Sequence, residues 1–79
     1  MATDQTVSYK FVWGAAVKII ESAPKKYLDI KLGSVCGIRS IETEATSTEF
    51  GEPVGSILYL IESPNGDAIE IPERFLIAF

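Results

Sequence analysis

The apolar runs of this chain are short, and glycine or proline cuts them at close intervals. That spacing leaves little room for helices and favours an all-β barrel or sandwich. "VSYKFVW" (7–13) alternates Val7, Tyr9, Phe11 and Trp13 with polar or smaller residues, the period of a strand with one buried face. "AAVKIIE" (15–21) follows Gly14 as a second run. Residues 22–33 form a longer excursion whose "YLDIKL" reads as a weak strand. "SVCGIRSIETE" (34–44) is a strand with Gly37 inside it, where a bulge is expected. By composition, residues 45–55 are a loop. "SILYLIE" (56–62) and "DAIEIP" (67–72) are two more strands, "PERF" is a single turn started by Pro72, and "LIAF" (76–79) closes the sequence.

The sharpest local signal is Asn65-Gly66 between two β-rich runs. Both residues tolerate positive φ, so they suit a two-residue type I′ hairpin. That turn sets a register in which paired numbers sum to 131. Leu60 then faces Ile71 and Glu62 faces Ile69, while Ile61 faces Glu70 and Ser63 faces Ala68. Leu58, Leu60, Ile69 and Ile71 become the expected core face, and Tyr59, Ile61, Ala68 and Glu70 the opposite one.

Seventy-nine residues make one domain, with residues 1–6 expected as a loose tail and 7–79 as the folded unit. The polar opening "MATDQTVSYK" has no signal-peptide pattern and no run approaches membrane-spanning length, so a cytoplasmic location is expected. One cysteine, Cys36, forms no internal disulfide and reads as a structural thiol within a strand. There is no histidine, which removes Ser-His and Cys-His catalysis and the commonest metal ligand. No phosphate loop, dinucleotide fingerprint or calcium loop is present. Neither catalysis, nor a metal, nor a cofactor is expected.

The charge is unevenly placed. Residues 1–39 carry six basic and three acidic side chains, or +3; residues 40–79 carry eight acidic side chains against Arg74, or −7; the total is −4. An acidic surface is repelled by phosphate, which argues against nucleic acid and for a basic protein partner. Lys25, Lys26 and Lys31 are too few to reverse that and read as solvated. Phe11 and Trp13, on an alternating strand, read as core.

The order of parts resembles an SH3-like β-barrel of five to six short antiparallel strands, with one helical turn near residues 72–75. Within that class, "FVWGAAVKI" (11–19), "GSVCGIRSI" (33–41) and "LYLIESPNGDAIEIPERFL" (58–76) resemble bacterial polymorphic-toxin immunity proteins. The resemblance implies a protein that binds a cognate toxin domain and blocks it without chemistry of its own. Two other roles stay open: a non-catalytic accessory or adaptor subunit using the same barrel, and a KOW-like nucleic-acid barrel, against which the acidity speaks.

The partner-binding residues expected from the charges are Glu42, Glu44, Glu49, Phe50, Glu52, Tyr59, Ile61 and Glu70. Opposite charges across an interface speed association and select the partner. Tyr59 and Ile61 would be the apolar centre of the patch and the glutamates its charged rim. Phe50 has two readings, as an anchor in a partner pocket or as a cap folded onto the barrel. The Tyr59/Ile61 face also has an alternative, in which "YKFVW" lies over it and leaves only the loop glutamates for binding.

Overall fold

The computed structural model describes residues 9–79. The tail assigned to residues 1–6 lies outside them, as do Val7 and Ser8 of the first expected strand. Five antiparallel strands form one sheet: β1 (Ala16–Ile19), β2 (Leu32–Ser40), β3 (Ile57–Glu62), β4 (Ala68–Pro72) and β5 (Leu76–Ala78). Their spatial order is β4-β3-β2-β1-β5. β4 and β5 stand at the two edges, and among the described residues no ladder joins them, so the sheet is open. Two short helices, α1 (Lys25–Leu28) and α2 (Glu44–Phe50), fill the long connections, and a 3-10 turn (Glu73–Phe75) precedes β5.

The hairpin forms one residue out of the expected register. Tyr59 pairs with Ile71, Leu60 with Glu70 and Ile61 with Ile69, so paired numbers sum to 130. Pro64 supplies the reason. A two-residue turn would need the N–H of residue 64 to donate to Asp67, and proline has none. Ser63 N–H donates to the Asp67 carbonyl instead at 2.8 Å, and Gly66 N–H donates to Ser63 O at 2.9 Å. The loop is therefore the three residues Pro64-Asn65-Gly66, with Gly66 at φ 91°, as in a turn closed by a left-handed glycine. Gly66→Ala is expected to cost about 1–2 kcal/mol, because a Cβ disfavours that conformation. Denaturant unfolding of the variant measures it.

A one-residue slip changes which side chains share a face. Tyr59 and Ile61 now stand with Ile69 and Ile71, and three of these four are completely buried. They join Phe11, Val17, Ile19, Ala23, Tyr27, Val35, Ile57, Phe75 and Leu76 in the main core. The expected core pair splits: Leu60 is half-buried, and Leu58, though buried, lies outside that cluster. Leu58 faces Pro72, and both are fully buried.

β2 shows how the chain reconciles pattern and pleat. Val35 faces Ile61 and Ile38 faces Tyr59, three residues apart yet both towards the core. The ladder shifts register between Val35 and Gly37, as expected at that glycine, and the extra residue keeps both side chains inward. Cys36 sits at the shift, half-buried and free.

Three other expectations give way. Residues 9–13 form no strand; they cross the face of the sheet, burying Phe11 and leaving Val12 and Trp13 69% and 68% exposed. Trp13 is thus not core. "YLDIKL" is not a separate strand but the end of α1 and a tight turn, with only Leu32 entering β2. Residues 45–55 are not all loop, since α2 occupies Glu44–Phe50. Its signals are local. Thr43 accepts a hydrogen bond from Thr46 N–H at 3.2 Å, and Gly51 ends the helix at φ 67°.

Candidate functional site

The eight expected binding residues divide into three groups. Tyr59 and Ile61 belong to the core. The segment before β1 covers Tyr59, as the alternative had it. Phe11 packs edge-on against Tyr59 with ring centroids 5.4 Å apart. The Tyr59 hydroxyl accepts from Lys10 N–H at 3.0 Å and Phe11 N–H at 3.2 Å, and donates to Glu73 Oε2 at 2.5 Å. Lys10 N–H also donates to Glu73 Oε2 at 3.1 Å. Burial, helped by the hydrogen bond to Glu73, pushes the Tyr59 hydroxyl above its ordinary pKa. An interface centred on Tyr59 and Ile61 therefore does not exist on this surface. The register explains it, because Ile61 faces Ile69 and not Glu70.

The second group is engaged in ion pairs. Glu70 accepts two hydrogen bonds from Arg39, at 2.6 and 2.7 Å, an exposed bidentate pair that joins β4 to β2 across β3. Chiefly through that hydrogen bond and charge, and to a lesser degree through Glu49, the Arg39 guanidinium is held above its usual pKa. Glu52 is only 7% exposed and accepts from Arg74 Nε at 2.7 Å. The Arg74 guanidinium also lies 4.3 Å from the centre of the Phe75 ring.

The third group is open to solvent. Glu42 follows β2, Glu44 begins α2 and Glu49 lies near its end; all three are exposed, and Phe50 beside them is half-buried. The two ion pairs found among the described residues use none of these three glutamates. The structure thus leaves Glu42, Glu44 and Glu49 exposed, ties Glu70 to Arg39, and removes Tyr59 and Ile61 from the surface.

The alternation of residues 7–13 does not make a strand over 9–13: Phe11 alone of these is buried, and Tyr9, Val12 and Trp13 are exposed. Among the described residues, no group of three or more His, Cys, Asp or Glu is arranged to hold a metal ion, and no helix is long and apolar enough to cross a membrane. Lys25, Lys26 and Lys31 are all exposed. Comparisons with family models, with curated proteins and with solved structures find no match for this chain.

Proposed function

We propose that this chain is an immunity-type inhibitor that binds a basic toxin domain, of nuclease type, through an acidic flank and has no catalysis of its own. The observation that supports it most is the set of exposed glutamates on and before α2, in the half of the chain that carries −7. Among the described residues these carboxylates form no ion pair within the chain, and such carboxylates can meet a cation on a partner. In this reading the fold is an SH3-like barrel. The meander order, the 3-10 turn and the return of β5 beside β1 agree with that connectivity, and β4 and β5 are the strands that closure would join. Phe50, half-buried, serves as a cap more than as an anchor.

The test is association kinetics with the cognate toxin domain that this reading requires. Lysine at Glu42, Glu44 and Glu49 together is expected to slow association about tenfold and to flatten its salt dependence, with smaller changes in dissociation. Unchanged kinetics in that variant, together with loss of protection on changing Lys25, Lys26 or Lys31, would overturn the reading.

The exposed Tyr9, Val12 and Trp13 favour a second reading, an accessory subunit docked through its apolar strap, since aromatic residues are enriched at interfaces. Trp13→Ala separates the two. Protection from toxin survives it in the first reading, and assembly with the larger complex is lost in the second.

A further inference from the structure

Ser63 follows β3, and its side chain is the unsatisfied one. The residue is 8% exposed, and its Oγ has no hydrogen-bond partner, which is true of no other buried side-chain polar atom among the described residues. A buried hydroxyl without a partner is unfavourable, and a ligand atom that pairs with it removes that penalty. Strand alternation puts Ser63 on the side of β3 that carries Tyr59 and Ile61. Beside it lies a cleft of about 400 Å³, walled by the turn between α1 and β2 and by the tip of the β3–β4 hairpin. Asp29, Lys31, Asn65 and Asp67 contribute its polar lining.

The wall on the α1 side is strained. Leu32 N–H donates to Ile30 O at 2.7 Å across Lys31, whose φ is 65°. That is a three-residue turn around a left-handed lysine, a rare arrangement that persists only where the surroundings hold it. The cleft therefore joins a strained backbone, an orphan hydroxyl, an amide and two carboxylates against one lysine. Its net charge is −1, and its acceptors outnumber its cations.

We infer that this cleft is a subsite for a cationic side chain, guanidinium or ammonium, of a protein partner. The inference rests on the reading of the partner as basic and adds a second point of contact to it. The six residues of β3 separate the cleft from the α2 end of the sheet by roughly 20 Å. One partner footprint of standard size, about 800 Å² on each side, covers both. A cation seated between Asp29 and Asp67 donates to their carboxylates, to the Asn65 amide oxygen and to Ser63 Oγ.

The test is a titration of the ¹⁵N-labelled protein with a blocked hexa-arginine peptide, with a hexa-glutamate peptide as control. Saturable shifts are expected at the amides of Lys31, Ser63, Asn65 and Asp67 with the first peptide and not with the second. Asp67→Asn is expected to weaken binding about threefold, the scale of one exposed ion pair. Ser63→Ala weakens it as well while leaving the melting temperature unchanged or higher, because it deletes a buried hydroxyl with no partner. A Ser63 of structural importance alone would leave peptide affinity unaltered in that variant, and this result would overturn the role given to it. Shifts confined to residues 42–50 would overturn the cleft and leave the acidic flank standing. No saturable shift, or equal binding of hexa-glutamate, would overturn the cleft, while the Glu42, Glu44 and Glu49 kinetics decide the flank independently.

Discussion

Replacing Gly33 by alanine is expected to destabilise the protein by about 3 kcal/mol, the upper range for overpacking a core. A Cβ at Gly33 would stand 2.4 Å from the Glu62 carbonyl oxygen and 2.8 Å from Ile61 Cγ2. The first of these is backbone in the adjacent strand, so relief requires β2 and β3 to move apart. They cannot do so locally, because Ser34 pairs with Glu62 and Val35 with Ile61 on the same ladder. A domain of this size has a total stability of roughly 4–12 kcal/mol, so the loss is a large fraction of it. Gly37→Ala is the comparison. Its Cβ would meet Leu60 Cβ at 3.0 Å, a side-chain contact at a bulge that has room to adjust, and about 1 kcal/mol is expected. Urea unfolding of both variants checks the order. Equal losses, or a neutral Gly33→Ala, would show that the two strands do not approach so closely.

Tyr59→Phe is expected to cost about 2 kcal/mol, although it removes one oxygen and leaves the ring in place. The hydroxyl joins Lys10 N–H, Phe11 N–H and the Glu73 carboxylate, so the change leaves buried or half-buried groups without that partner. Faster amide exchange at Phe11 is the local signature, together with greater exposure of the strap of residues 9–13. The same residue sets a pH dependence. Burial and Glu73 raise the Tyr59 pKa in the folded state above its ordinary value near 10. The folded protein therefore holds this proton more tightly than the unfolded chain does. The contribution is complete below about pH 10 and is lost as pH rises through the folded value. The parent protein should lose stability in that alkaline window more steeply than Tyr59→Phe. Parallel stability profiles for the two proteins across that window would refute the assignment.

Much of the strand framework was legible because short β-rich runs bounded by glycine and proline allow few other structures. β1, β2 with its bulge at Gly37, β3, β4 and the turn after Pro72 all follow from local pattern. α2 carried readable signals in Thr43 and Gly51, but a polar composition concealed them. α1 had weaker ones: four residues after Pro24, with no side-chain cap. The candidate site was less legible. The glutamates of residues 42–49 are exposed, as a run of charge in a polar stretch implies, whereas Glu52 and Glu70 had partners 22 and 31 residues away in the chain.

By itself the sequence determined local geometry and overall charge: strands where β-branched residues cluster, a turn at Asn65-Gly66, and acid crowded into the second half of the chain. Only the tertiary structure decided which side of each strand is inside. Alternation specifies two faces and does not say which is buried; Pro64 is local and sets the hairpin register, but burial of the Tyr59/Ile61 face comes from what packs on it. Tertiary contact also drew Phe11 onto Tyr59 and left Trp13 outside, since a hydroxyl 48 residues distant accepts from the adjacent amides of Lys10 and Phe11 and packs against the Phe11 ring. Long-range pairing of this kind depends on where separate strands meet, and no window of neighbouring residues encodes that meeting.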